Sequence, residues 1–303
     1  MVAPLALAAL AVALAWPVPV LLARAAWPAR SPAVALLLWQ AIAVAGGLSM
    51  IGALLTFALG DDLVAGVLRL SRGGGLDLPH AVALGGAVLL TGHLLLNLLL
   101  TITRAELQRR RHSELVQLLG APVEVPVRGR VIDSPAPVAY CLPGALGSVT
   151  VVSAGLLELL DEAELLAVIE HELAHVSQRH DIVLVLFRAW HVSLPWFPIA
   201  FRAQREVGLL VEMLADDRAR RVVDDAVLAR AIMLVGTGQG SAATGAVERG
   251  VVASPHDLSA RIRRLEAPPL APAARAAIVA VAVALLTVPT VLLLAPALHT
   301  LLG

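Results

Sequence analysis

Four long apolar runs are separated by polar connections, and the rhythm changes between the third and the fourth. The runs are Ala3 to Leu22, Ala33 to Leu59, Ala81 to Ile102 and Ala276 to about Leu298. Each supplies about the 20 apolar residues that a helix needs to cross roughly 30 Å of hydrocarbon. Pro17 and Pro19 interrupt the first run, and Pro289 and Pro296 predict kinks in the last. No Arg or Lys precedes the first run and further apolar runs follow it, so it reads as a retained span rather than a cleaved leader. Gly46 and Gly47 mark close helix packing in the second run. His93 and Asn97, one turn apart in the third, require polar partners at that depth, which an interhelical hydrogen bond would supply.

The long middle stretch has mixed periodicity. Arg104 to Leu119 predicts a basic amphipathic helix leaving the membrane, its arginines facing lipid headgroups. Pro122 to Asp133 alternates Val123, Val125, Val127 and Val131 with Glu124, Arg128 and Arg130, which suits a half-buried strand. Pro126 and Gly129 make it an edge or bulged strand. Ser134 to Pro143 is loop-like, and Ser148 to Ser153 gives a second short strand. Residues 182–201 are very apolar, yet Arg188, His191, Pro195 and Pro198 argue for an interfacial or re-entrant segment rather than a fifth span. Asp224 to Val235 predicts one more helix, and Gly236 to Gly250, rich in Gly, Ser, Ala and Thr, a mobile loop.

Composition agrees with the runs. The 303 residues are 58% hydrophobic with zero formal net charge, and mean hydropathy is +0.82. No nucleic-acid surface is advertised by that balance. All 23 basic residues are arginine. Cys141 is the single cysteine, which excludes an intramolecular disulfide and fits a reducing compartment. Arginine placement predicts the topology. Arg24 and Arg30 stand in the first connection, Arg104, Arg109, Arg110 and Arg111 follow the third run, and Arg261, Arg263, Arg264 and Arg275 precede the fourth. The first connection and the stretch from Thr103 to Arg275 are therefore expected in the cytoplasm, with both termini outside.

The candidate chemistry lies at Val168-Ile169-Glu170-His171-Glu172-Leu173-Ala174-His175-Val176, an H-E-x-x-H pattern. Asp161 and Glu164 form a D-x-x-E capping box ahead of it, and Leu165, Leu166, Val168, Ile169, Leu173 and Val176 give a helical apolar pattern. Histidines four apart share one helix face and can reach a single Zn²⁺, while Glu172 can take a proton from a water there. The spacing also arises on ordinary solvated helices, so a third donor matters. Glu212, in the E-x-x-A-D stretch Glu212-Met213-Leu214-Ala215-Asp216, completes a His-His-Glu set, and Asp216 can accept the free N–H of a ligating histidine. An acidic, water-facing helix is the plain alternative for this pair. Leu209, Leu210, Met213 and Leu214 crowd Glu212, however, and a bare carboxylate there would be costly without a cation.

With these residues in view, the chain resembles the M56 family of membrane metallopeptidases, the antirepressor peptidases of the BlaR1/MecR1 type, which are similar to the M48 peptidases. The likeness is carried by His171 to His175 with Arg179-His180-Asp181, by Glu212 to Asp216, by Trp196-Phe197-Pro198 between them, and by Arg261-Ile262-Arg263-Arg264-Leu265. It implies a mainly α integral membrane protein. Three transmembrane helices would lie in residues 1–103 (about 3–22, 33–59 and 81–102) and a fourth in 276–303. A cytoplasmic α+β zincin (gluzincin) peptidase domain, residues 104–275, would be inserted between the third and fourth. It further implies a substrate-binding edge strand at Ala139, Tyr140 and Cys141, one Zn²⁺ per chain, and a bacterial plasma-membrane location. The implied substrate is a cytoplasmic transcriptional repressor of the BlaI type, with self-cleavage as an activating step and room for a homodimer. The penicillin-binding sensor domain of the antibiotic-responsive members is not expected before Gly303. Two rivals stand beside this reading. One is a membrane quality-control protease like the M48 group. The other is a signalling protein whose zinc is structural, closed by Cys141 or His180 as a fourth ligand. Arg218 and His180 are weak candidates for a second oxyanion donor.

Overall fold

The computed structural model describes residues 2–119, 121–124, 128–144, 147–195, 198–238 and 254–302. Two compact units emerge: Met1–Leu99 with Ala189–Ala203 and Leu270–Gly303, and Leu100–Arg188 with Gln204–Pro269.

The first unit is built from helices. These are α1 (Val2–Ala15), α2 (Pro17–Arg24), α3 (Trp27–Arg30), α4 (Pro32–Leu59), α5 (Leu63–Ser71), the apolar part of α6 (Leu78–Leu119), and a final helix, Pro272–Leu302. Four stretches are long and apolar enough to cross a membrane: Val2–Arg24, Pro32–Leu59, Leu78–Val116 and Pro272–Pro296. Trp16 breaks the first between α1 and α2, where Pro17 has no N–H to continue the ladder. The last stays helical through Pro289 and Pro296. Helix α4 is the hub, with 44% of its most apolar window buried against 11% for α6. Trp39, Ala35, Ile42 and Ala45 of α4 are buried, as are Leu7 and Leu14 of α1, which packs on α4. Leu89, Leu95 and Leu99 of α6, by contrast, stay exposed, as a lipid-facing surface requires.

Several small or polar positions in these helices have clear partners, while Ser49 Oγ of α4 is buried without a hydrogen bond among the described residues. A Cβ on Gly47 would lie 2.9 Å from Trp190 Cη2, so the glycine admits the indole. The His93 ring meets the carbonyl of Ser193 at 3.0 Å, and Asn97 Nδ2 donates to the His93 carbonyl at 2.8 Å.

The second unit is a four-stranded sheet with helices. Its strands are β1 (Ala121–Glu124), β2 (Arg128–Ile132), β3 (Ala139–Gly144) and β4 (Gly147–Ser153), in the order β1-β2-β4-β3. β2 runs parallel to β4, and the other two pairs are antiparallel. The single strand expected over 122–133 is thus two strands paired with each other, Ala121 opposite Val131. Period-2 alternation runs on through a reversal, so the pattern conceals the turn; Pro126 lies outside the described residues. The loop expected over 134–143 contains β3, whose sequence does not alternate but whose backbone pairs along β4, Ala139 opposite Val152.

The helices that follow are α7 (Ala154–Leu159), α8 (Glu162–Ser177), α9 (His180–Ser193), α10 (Pro198–Ala219), α11 (Asp225–Gly238) and α12 (Pro255–Leu265). All are of this unit except the end of α9 from Ala189 and the start of α10 to Ala203, which belong to the first, as does Pro272–Leu302, here α13. The predicted capping box is present: Glu164 N donates to Asp161 Oδ1 at 2.9 Å, and Asp161 N to Glu164 Oε2 at 3.0 Å. Helix α8 is clamped on two faces. Leu165 and Ile169 join Ala139, Val152, Leu156 and Leu160 beneath the sheet. Ala167 joins Ala219, Leu228, Ala231, Ile232 and Leu265 on the other side. The basic helix expected over 104–119 is the continuation of α6, which runs 42 residues without a break. Of the expected loop 236–250, residues 236–238 extend α11, with Thr237 Oγ1 on the Met233 carbonyl, and the rest lies outside the described residues. Trp196 and Phe197 also lie outside them.

Candidate metal centre

Helix α8 presents His171 and His175 from consecutive turns, and α10 presents Glu212 and Asp216 likewise. Three of these side chains converge. His171 Nε2 lies 3.3 Å from His175 Nε2 and 3.2 Å from Glu212 Oε2, and His175 Nε2 lies 3.5 Å from Glu212 Oε1. Zn–N and Zn–O bonds of about 2.0–2.1 Å in a tetrahedron separate neighbouring donor atoms by roughly 3.3–3.4 Å. The observed separations are of that size, His171 meeting one carboxylate oxygen of Glu212 and His175 the other. With one donor atom taken from each residue, all three lie within 4.8 Å of one another, so His171, His175 and Glu212 could hold one metal ion. The side chains of His171 and His175 are 10% and 11% exposed and that of Glu212 25%, so the group is most open on the Glu212 side.

Outer contacts fix the donors. Asp216, 1% exposed, faces His171 Nδ1 at 2.9 Å. Arg261 of α12 donates to Asp216 from Nε at 2.8 Å and from Nη2 at 2.6 Å, and its Nη1 lies 3.4 Å from Glu212 Oε2. Arg264 donates to the Met213 carbonyl at 3.1 Å and to Asp217, tying α12 to α10. Sequence reasoning singled out the Arg261–Leu265 helix without its partners; spacing carries no signal that Arg261 reaches Asp216.

These contacts set the protonation of the metal-free site. Burial opposes charge on His171, yet its hydrogen bonds to Asp216 and Glu212 raise the imidazole pKa to about 9. Burial likewise opposes the Asp216 carboxylate, but Arg261 and His171 hold it down at about 2. Glu212 is kept well below the ordinary carboxylate value, against burial, by His175, His171 and Arg261. Donating to the Asp216 and Glu212 carboxylates, protonated His171 carries the positive charge that a cation would otherwise supply.

Glu172 is buried and lines a cavity of about 100 Å³ together with His171, Glu212 and Arg261. Beyond it, His180 is not a helix cap; Gln178 closes α8, and Arg179 at φ 50° turns the chain so that the His180 ring meets His175. Burial lowers the His180 pKa to about 4. Arg218 donates to Glu170 at 3.0 Å. In β3, Ala139 is buried against α8, Tyr140 stacks obliquely beside His112 at 5.0 Å, and Cys141 Sγ sits 3.4 Å from Thr150 Oγ1. Cys141 is not in the convergent group.

Residues 102–215 match the model of Peptidase family M48. The matched stretch carries His171, Glu172, His175 and Glu212, and ends one residue before Asp216. A peptidase of the M48 type is therefore supported, a group generally dependent on zinc. No curated protein and no solved structure matches the chain.

Proposed function

We propose that the chain is a membrane-embedded zinc-dependent endopeptidase of the gluzincin kind. The observation that carries the reading is the convergence of His171, His175 and Glu212 donor atoms within 4.8 Å of one another beside buried Glu172, inside a stretch that matches a peptidase family. Bound zinc supplies Lewis-acid polarisation of a scissile carbonyl and of water. The chain's own residues do the rest. Glu172 accepts the proton of the attacking water on its carboxylate and later delivers it to the leaving amine. Asp216 holds His171 in the tautomer that leaves Nε2 bare, and Arg261 holds Asp216 ionised. β3, at the edge of the sheet and packed on α8, offers Ala139, Tyr140 and Cys141 as a ladder for an extended substrate.

Arginine distribution supports a cytoplasmic peptidase region with both termini outside, in a bacterial plasma membrane. For the substrate, the M48 match favours membrane proteins under quality control, whereas the likeness to antirepressor peptidases favours a BlaI-type transcriptional repressor with self-cleavage. Comparative proteomics of cells expressing wild type or Glu172→Ala separates them: a DNA-binding repressor lost only with wild type supports signalling, and a spectrum of membrane proteins supports quality control. If the two proteomes do not differ, the endopeptidase reading fails.

A further inference from the structure

On the far side of His175 from the donor triangle lies a second imidazole. His180 opens α9 at 2% exposure, its ring edge-on to that of His175, with centroids 4.9 Å apart and planes at 87°. The two Nδ1 atoms are 3.1 Å apart, and His180 Nε2 is 3.1 Å from Gln178 Oε1. Two ring nitrogens at that separation share one hydrogen, so one ring donates and the other accepts. The Gln178 carbonyl oxygen can only accept, which places the His180 hydrogen on Nε2 and leaves its Nδ1 bare. His175 then carries its own hydrogen on Nδ1 and turns a lone pair at Nε2 toward His171 and Glu212. A cation demands the same arrangement, because an imidazole that ligates through Nε2 keeps its hydrogen on Nδ1.

We propose that His180, backed by Gln178, is a positioning residue that fixes the tautomer and ring orientation of His175 for metal binding. The inference rests on His171, His175 and Glu212 being the ligands, and it gives His175 the counterpart of what Asp216 gives His171. A ring that merely filled space would explain the burial of His180 but neither of its two nitrogen contacts. The backbone adds a separate sign. Arg179 adopts φ 50°, a left-handed conformation that non-glycine residues rarely take. Such strain persists where the surroundings demand it and concentrates at functional sites. Here it turns the chain so that His180 points back at the last turn of α8. A neutral imidazole in place of the usual carboxylate also keeps a further buried anion out of a centre that already holds Glu212 and Asp216.

The test compares the purified full-length chain with His180→Leu, His180→Asn and Gln178→Leu, each stripped by a chelator. Zinc affinity is measured by competition with a chromogenic chelator, the Co²⁺ form by its visible d–d bands, and folding by circular dichroism. His180→Leu is expected to lose about 10- to 100-fold in zinc affinity with altered cobalt bands. His180→Asn, whose carboxamide oxygen can accept from His175 Nδ1–H, recovers most of the loss. Gln178→Leu shows a smaller loss of the same kind. Unchanged affinity and bands in His180→Leu, or no recovery in His180→Asn, overturn the proposal. If His180→Leu loses helical signal, the asparagine and Gln178 variants decide by the same criteria. A wild-type chain that binds no stoichiometric zinc overturns the ligand reading and this proposal together; a flat His180 series with zinc-binding wild type removes this proposal alone.

Discussion

Arg261 grips both carboxylate oxygens of Asp216, at 2.8 and 2.6 Å, while the same carboxylate accepts from His171 at 2.9 Å. Helix α12 thus reaches the candidate metal centre chiefly through one buried carboxylate, with a longer contact of 3.4 Å from Arg261 to Glu212. Removing the guanidinium leaves the Asp216 carboxylate, at 1% exposure, with His171 as its remaining charged partner, for which a cost of up to about 3–5 kcal/mol is expected. Arg261→Ala should therefore lower unfolding stability in detergent by that order and weaken zinc binding. Arg261→Lys keeps the charge but loses the two-pronged geometry, and should fall between alanine and wild type.

The Asp216–His171 pair predicts a pH window for the metal-free protein. Asp216 is lowered from 3.8 to about 2, so its contribution is complete above 3.8 and is lost as pH falls toward 2. His171 is raised from 6.5 to about 9, so its contribution is complete below 6.5 and is lost as pH rises through 9. Between 3.8 and 6.5 both are present. Zinc replaces the His171 proton, so the alkaline limb should flatten in the loaded protein while the acid limb remains. Asp216→Asn should remove most of the window. Denaturant titrations across pH, with and without metal, check all three statements.

Glu172 lines the cavity without belonging to the donor triangle. Glu172→Gln should bind zinc as wild type does and lose about 10²–10⁴-fold in peptide cleavage, the usual worth of a general base. Metal content by elemental analysis, read beside cleavage of a casein-type substrate, checks both halves. Loss of zinc in this variant would instead make Glu172 a ligand.

Gly155 is a steric constraint on the sheet. A Cβ there would stand 2.1 Å from the Pro135 carbonyl oxygen, and Gly155 N donates to the Ser134 carbonyl at 2.9 Å. The obstacle is backbone, so no side-chain rotation relieves it. Gly155→Ala should destabilise the second unit by about 1–3 kcal/mol, seen as a lower unfolding midpoint.

The parts of this chain that could be read without coordinates are those whose physics is local. Lipid asks for about twenty apolar residues at a time, so all four helices long and apolar enough to cross a membrane show in the sequence. Helix α8 announces itself through Asp161, Glu164 and its apolar spacing, and Glu212 through a carboxylate set among leucines. What escaped depends on distant partners. β3 exists because β4 pairs with it, and Tyr140-Cys141-Leu142-Pro143 carries no alternation of its own. The continuity of α6 across the shift from apolar to basic residues reflects helix propensity, which that change in polarity does not disturb. The contact of His180 with His175 depends on one backbone angle at Arg179, which residue identity does not reveal. Arg261 lies 45 residues from the carboxylate it grips, a pairing that no spacing rule encodes.

Two of the three donors share one helix, while the third arrives from a helix 41 residues further on. Neither helix alone can retain an ion. Occupancy by a metal would consequently report whether α8 and α10 are docked, and any force that parts them, whether heat, a chelator drawing the equilibrium over, or strain transmitted along the backbone, would open the candidate centre before the chain unravels. Resistance to proteolytic nicking in the segment between the two motifs should rise and fall with zinc supply.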